Sequence, residues 1–280
     1  MNGDEFEILS SLVKQRSGLV LTRDKAYLLE SRLLPVARKW QLKTLGDLAA
    51  AVRSRGDAGL VRAIVEAMTT NESFFFRDVK PFDQFKSFVL PQLLRARAAT
   101  RTIRIWSAAC SSGQEPYSLA MILTEQRAQL ANWRIEILAT DLSTEILDKA
   151  QAGLYSQFEV QRGLPIQLLV KYFKQQGERW QVDPAIRSRV NFRQLNLLDD
   201  IAALGRFDVI FCRNVLIYFD QPTKTLVLDR LSRQMAPDGY LYLGGAETVL
   251  GISGKLQPVA ENRGLYSIAR TAVPPVRAAG

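Results

Sequence analysis

Residues 105–117 read Ile105-Trp106-Ser107-Ala108-Ala109-Cys110-Ser111-Ser112-Gly113-Gln114-Glu115-Pro116-Tyr117. An apolar run gives way to small residues, and Pro116 suits the first turn of a helix. Small residues let a ligand approach the backbone closely, and a helix N-terminus offers free N–H groups. With a single glycine the stretch lacks the G-x-G-x-x-G spacing, so an ordinary tight turn between strand and helix would read the same way.

Outward from this stretch the chain alternates strand and helix. Apolar runs predict strands at 103–108, 135–140, 207–212 and 240–244, and helices at 117–129, 144–152 and 223–235. That rhythm predicts an α/β fold with a mostly parallel sheet, whose ligand sites lie at the carboxyl ends of the strands. Between 153 and 195 the rhythm breaks. There Trp180-Gln181-Val182 and residues 190–193 predict a small antiparallel sheet hanging off the main one. The first 70 residues carry helical spacing instead: Phe6, Leu9, Leu12 and Val13, then Leu28, Leu29, Leu33 and Leu34, then two shorter stripes. Thr22 is expected to cap the second helix and Pro35 to kink or break it. The expected division is a helical domain at 1–70, a hinge at 71–80, an α/β domain at 81–270 with a subdomain inserted at about 153–195, and a frayed Pro- and Ala-rich tail at 271–280.

Composition narrows the chemistry. The 280 residues include no histidine and two cysteines, Cys110 and Cys212. Histidine base catalysis and histidine-ligated metals are excluded, and two lone cysteines do not make a zinc site. No metal is expected, and both thiols are expected to be free. Hydrophobic residues are 47% and charged residues 23%, which is ordinary for a soluble domain with a real core. The acidic start lacks an apolar run and nothing approaches a membrane span, so a cytoplasmic protein is expected. The net charge is +9, with eleven basic against four acidic residues between Lys14 and Arg62. Such a field suits a polyanionic partner, though a merely solvated helical surface would look the same.

Two further positions bear on a site. Asp141 ends the second strand, where a carboxylate accepts ribose hydroxyls of an adenosine-containing cofactor; it could equally cap the helix that follows. Arg213 and Asn214 follow the strand at 207–212 and open into the same crevice. Between the domains, residues 71–78 read NESFFFRD, with Asn71, Ser73 and Arg77 flanking three phenylalanines.

NESFFFRD at 71–78, IWSAACSSGQEPY at 105–117, ATDL at 139–142 and IFCRNVLIYFD at 210–220 together closely resemble the CheR-type chemotaxis receptor methyltransferases. The motifs fall in family order, and the likeness spans nearly the whole chain. The resemblance implies a class I, Rossmann-like methyltransferase domain with a small antiparallel β subdomain and a helical N-terminal domain. It implies S-adenosylmethionine as methyl donor, S-adenosylhomocysteine as product, and receptor glutamates as acceptors. Carried over by motif, Asn71, Ser73, Arg77, Glu115, Asp141, Asn196, Leu197, Arg213 and Asn214 are the expected cofactor-binding residues. Ser73 stands where threonine is also common.

A glutamate is already ionised at neutral pH, so its methylation needs no general base, in keeping with a chain without histidine. Holding acceptor and methyl in line is then the main task. Arg77 and Tyr218 are the expected catalytic residues: Arg77 as a planar clamp for a carboxylate, Tyr218 as a donor to the acceptor's other oxygen or a wall of the methyl channel. Glu115 is expected at the cofactor's ammonium, or simply as a favourable charge at a helix N-terminus. The expected partners are chemoreceptors with acidic helical methylation regions, docked by Arg32, Arg38, Lys39 and Arg53. Phe173-Lys174-Gln175-Gln176-Gly177-Glu178-Arg179-Trp180 is short with one glycine, which suggests independence from the receptor C-terminal peptide that some family members grip. A nucleic-acid substrate is disfavoured because no Asn/Asp-Pro-Pro-aromatic motif is present. A non-catalytic cofactor sensor is a further alternative.

Overall fold

The computed structural model describes residues 1–54 and 57–269; the tail expected at 271–280 lies outside the described residues. Four helices open the chain: α1 (Gly3–Ser17), α2 (Ala26–Lys39), α3 (Leu45–Ser54) and α4 (Ala58–Met68). Asn2 and Glu5 form a reciprocal capping box at the start of α1, and Gly18 ends it in the left-handed region at φ 79°. Phe6, Leu9 and Val13 of α1 meet Leu29, Leu33 and Ala37 of α2 and Leu60, Ile64 and Met68 of α4 in a core of their own.

Helix α2 runs through Pro35 without a break. Pro35 is exposed, and the buried stripe of Leu29, Leu33 and Ala37 passes beneath it, so packing outweighs one lost N–H bond. Thr22 precedes a 3-10 turn at Arg23–Lys25, and its side chain makes no cap bond.

Two short helices, α5 (Lys80–Gln84) and α6 (Leu90–Ala96), joined through a π turn, lead into the α/β domain. There follow β1 (Thr102–Ala108), α7 (Gln114–Glu125), β2 (Arg134–Asp141) and α8 (Thr144–Ala152). Next come β3 (Leu154–Ser156), α9 (Gln157–Gln161), α10 (Ile166–Tyr172), β4 (Phe173–Gln176), β5 (Arg179–Val182) and α11 (Pro184–Arg187). The chain then forms β6 (Val190–Gln194), β7 (Phe207–Cys212), α12 (Gln221–Gln234), β8 (Met235–Leu243), β9 (Leu256–Pro258) and β10 (Leu265–Ile268).

The main sheet has the order β6-β2-β1-β7-β8-β10-β9. Strands β6, β2, β1, β7 and β8 run parallel, while β10 is antiparallel to β8 and to β9. This is the Rossmann-like, mostly parallel sheet expected of a class I methyltransferase. One core covers the sheet through α5, α6 and α7; the other holds Trp106, Phe207, Val227, Leu228 and Leu231, the last three from α12. Each fully buried leucine in these clusters contributes roughly 1.5–3 kcal/mol of transfer free energy.

The small antiparallel sheet is real, with order β3-β5-β4, but its membership differs from the sequence expectation. Residues 190–193, expected in the antiparallel excursion, belong to β6, which pairs in parallel with β2 from Ile137↔Val190 to Asp141↔Gln194. The excursion therefore closes at Val182, before α11. A four-residue apolar run does not say which edge it joins; that depends on α8 and the excursion returning the chain to the free edge of β2. Among the described residues no helix is long and apolar enough to cross a membrane.

Candidate cofactor and methyl-transfer site

At the carboxyl ends of β1, β2, β6 and β7 a cleft opens beneath the helical domain. It encloses about 790 Å³ counted out to its mouth. Asn71, Asp141, Asn196, Leu197, Arg213, Asn214 and Tyr218 all stand on its wall, although they come from five separate stretches of chain.

The loop after β1 explains the small residues. Ala109 and Ser111 both adopt the left-handed backbone region, at φ 58° and 50°, and Gly113 follows at φ 90°. Larger or β-branched residues would resist these angles, each of which costs on the order of 1 kcal/mol even for a small side chain. Asp141 stabilises the arrangement: one carboxylate oxygen accepts from Ser111 N at 2.8 Å and the other from Ser143 N at 3.0 Å. Ser143, not Asp141, caps α8 through its hydroxyl. Burial pushes the Asp141 carboxyl above its usual range, against the lowering effect of these N–H donors.

The end of β7 meets the hinge. Arg213, 2% exposed in its side chain, donates to Glu115 at 3.0 Å, to Asp78 at 2.6 Å and to the carbonyl of Arg77 at 2.9 Å. Glu115 also accepts from Ser107 Oγ at 2.8 Å. It therefore sits one layer behind the wall, as the buried counter-ion of Arg213. The hinge that Arg213 holds is strained: Phe76, Asp78 and Val79 all have left-handed φ, and for β-branched Val79 this is an outlier. Phe76 N is fastened to Ser118 Oγ at 3.0 Å and Phe75 is fully buried against Tyr155 and Phe173. Such strain persists where the surroundings over-determine it, typically at functional sites.

Ser73 and Arg77 are not on the cleft wall. The Arg77 guanidinium lies 5.5 Å from the centre of the Phe74 ring and donates to Glu72 O at 2.8 Å. Asn196 is on the wall, but its amide is engaged: Nδ2 donates to Arg16 O at 2.6 Å and Oδ1 accepts from Leu198 N at 3.0 Å. Tyr218 follows Asn214 in a 3-10 turn, half-buried, and its carbonyl accepts from Val20 N at 2.9 Å.

That bond exposes what the sequence reading missed. Ser17 and Leu19, from the helical domain, also line the cleft. Gly18 lets this strap pass, because a Cβ there would lie 2.9 Å from Thr223 Cγ2 and 3.1 Å from the Phe219 ring. Lys14 adds an ion pair to Asp220 at 2.7 Å. Thr69 and Thr70 are wall residues too, held by Arg32, which donates to Met68 O at 2.9 Å, Thr69 O at 3.0 Å and Thr70 Oγ1 at 3.4 Å. Arg32 is thus occupied in satisfying the open carbonyls at the end of α4. Nothing local in the sequence marks these contacts. Glu247 was also missed; its carboxylate accepts from the backbone N–H of Asn214, Gly244 and Ile217. The Gly-Gly-Ala-Glu run after β8 was its only signal.

The wall fits an adenosine-containing cofactor on its own chemistry. Ser111 Oγ and Arg213 Nε are buried there without any hydrogen-bond partner, and such atoms cost free energy unless a ligand or water meets them. Both cysteines are free and buried, and burial raises both thiols well above their ordinary range, so neither is a poised nucleophile.

Comparison with known proteins gives these features a family. The profile described as CheR methyltransferase, SAM binding domain, matches residues 71–265, and that described as CheR methyltransferase, all-alpha domain, matches residues 4–69. Chemotaxis protein methyltransferase 1 of Pseudomonas aeruginosa is 44% identical over 265 residues, 93% of this chain and 96% of that protein. Chemotaxis protein methyltransferase Cher2 of Pseudomonas putida is 42% identical over the same length and coverage. Chemotaxis protein methyltransferase of Vibrio parahaemolyticus is 40% identical over 268 residues, 95% of this chain and 96% of its own. The chain belongs to the CheR methyltransferase family and is an S-adenosylmethionine-dependent methyltransferase.

Proposed function

We propose that this chain methylates glutamate side chains on the cytoplasmic domains of chemoreceptors, forming methyl esters. The observation that carries this reading is the convergence on one cleft of a strand-tip carboxylate, the Arg213–Asn214 corner and Tyr218, in a chain without histidine. An acceptor that is already anionic suits such a site.

S-adenosylmethionine, when bound, would supply a methyl group on a positively charged sulfur to the acceptor carboxylate. Asp141 would accept the ribose hydroxyls on the lone pairs its two N–H donors leave free. Asn196 and Leu197, both on the wall, would hold the adenine, Leu197 supplying an apolar contact. Arg213 and Asn214, with Glu115 behind Arg213, would hold the methionyl end. Tyr218 has no side-chain hydrogen bond among the described residues and is free to steer the acceptor oxygen. Arg77, whose guanidinium donates to Glu72 O beside the cleft, is the positioning group for a carboxylate at the rim.

Receptor docking falls to Arg38, Lys39 and Arg53, which are exposed on the helical domain, rather than to Arg32. Independence from a receptor C-terminal peptide is supported by the tight two-residue turn at Gly177 and Glu178 between β4 and β5. Incubation with methyl-labelled S-adenosylmethionine and a receptor cytoplasmic fragment is expected to give base-labile label released as methanol. Label that survives base, or none at all, overturns the reading. Trimming the receptor C-terminus is expected to leave KM unchanged.

A further inference from the structure

A second cavity of about 1,400 Å³, counted to its mouth, lies at the carboxyl ends of β7 and β8. Asn214 is the residue it shares with the cofactor cleft. The cleft extends from Asp141 at β2 to Asn214 at β7, and the second cavity begins on the far side of that asparagine. Its wall includes Lys80, Gly244, Gly245, Glu247 and Arg263.

The partition between the two spaces is built, not incidental. Asn214 stands at φ 60°, held there by the bond from its N–H to Glu247 Oε2 at 2.9 Å. A Cβ on Gly244 would meet Asn214 Nδ2 at 2.7 Å and Glu247 Oε2 at 2.8 Å, so only glycine lets β8 approach this closely. At Gly245, by contrast, a Cβ meets nothing within 4 Å.

The charges on this wall are uneven. Asp78 is paired with Arg213 at 2.6 Å, and the Glu247 carboxylate is taken up by three backbone N–H groups. Lys80 and Arg263 are exposed and form no ion pair among the described residues. The charges left unpaired and exposed at this mouth, Lys80 and Arg263, are therefore both positive, and Asn214 is the wall residue that separates it from the cofactor cleft. An anionic helix is the partner that such a mouth attracts.

Building on the proposed glutamate methylation, we propose that this second cavity admits the acceptor glutamate, with Lys80 and Arg263 engaging neighbouring carboxylates of the receptor helix that carries it. Lys80 and Arg263 are positioning residues for the substrate and do not touch the reacting atoms.

The test uses the full chain, a purified chemoreceptor cytoplasmic fragment and labelled S-adenosylmethionine. The double variant Lys80→Glu, Arg263→Glu is expected to raise KM for the fragment on the order of tenfold at low salt. It should weaken fragment binding by fluorescence anisotropy in parallel, while calorimetric affinity for S-adenosylhomocysteine stays at the wild-type value. Lys174→Glu, the same charge change on exposed β4, serves as control and is expected to leave KM alone. Gly245→Leu, which fills the open space without touching charge, is expected to depress methylation while cofactor affinity is retained. An unchanged KM in the double variant, or an equal rise in the Lys174 control, overturns the inference. Failure of the wild-type chain to esterify the fragment sinks the underlying reading instead, so the two failures are distinguishable.

Discussion

Consider Arg32→Glu set beside Arg38→Glu. Both reverse a positive charge on α2, and a surface-charge view expects the same loss of receptor docking from each. Arg32, however, reaches Met68 O at 2.9 Å and Thr69 O at 3.0 Å, closing the end of α4 where the hinge begins. Charged hydrogen bonds contribute about 1.5–3 kcal/mol when well shielded; for this half-buried side chain about 1 kcal/mol each is appropriate. A glutamate facing the negative end of α4 adds about 0.5 kcal/mol of repulsion, giving a loss near ~2.5 kcal/mol. For a chain of this size that lowers Tm by about 5–10 °C. Thr69 and Thr70 form cofactor wall, so a cofactor must then bear part of the cost of ordering them; ~1 kcal/mol of that cost weakens binding about fivefold. Arg38 is exposed and bonds to nothing in the hinge, so Arg38→Glu should leave cofactor affinity untouched while raising KM for receptor at low salt. Calorimetry with S-adenosylhomocysteine and a thermal melt on each variant provide the comparison. Arg32→Glu with wild-type Tm and wild-type cofactor affinity would refute the reasoning.

Asp141→Asn keeps an oxygen for one of the two N–H donors but turns an amide toward the other and removes the charge, so cofactor binding should weaken about 10- to 150-fold, read by calorimetry. Because burial raises the Asp141 carboxyl, wild-type cofactor affinity should begin to fall above the ordinary carboxylate range as pH is lowered, and the Asn variant should show no such fall. The sign for folding is opposite: a raised folded value means that ionisation costs stability above the unfolded value, and acidification relieves that cost. Asp220 behaves conversely, since hydrogen bonds from Lys14 and Thr223 lower it from 3.8 to about 2. Its contribution is full above pH 3.8 and is lost as pH falls through about 2, so acid unfolding followed by circular dichroism should be less steep there in Lys14→Met. Glu115→Ala strips one of two carboxylate partners from buried Arg213 and should cost about 1–3 kcal/mol in urea unfolding, against a smaller loss for Glu115→Gln, which keeps an acceptor oxygen.

Much of the fold was legible because it is written locally. The strand expected at 207–212 is β7 residue for residue, and the helix expected at 144–152 is α8. The helix expected at 117–129 begins at Gln114 instead, since Pro116 sits comfortably inside the first turn. Two local rules failed for a shared reason. Pro35 did not break α2, and residues 190–193 did not join the small sheet, because in each case burial against a distant partner outweighed the local signal.

For the site, motif resemblance named Asp141, Asn196, Leu197, Arg213 and Asn214, and all of them stand on one wall. It named Arg77 and Glu115 as well, but did not say that Arg77 rests on Phe74 or that Glu115 lies behind Arg213. Side-chain direction after a strained hinge is not a property of spacing.

The sequence alone determined the helix and strand periods, the parallel α/β class, the absence of histidine and the chemistry available at each strand tip. These follow from side-chain type and from contacts within a few residues. Only the tertiary structure decided that Ser17 and Leu19 wall the cleft, that Arg32 bonds to the end of α4, and that Glu247 bonds to the N–H of Asn214. Each of those contacts joins residues some thirty or more positions apart, where no local preference acts and only the packed geometry selects the partner.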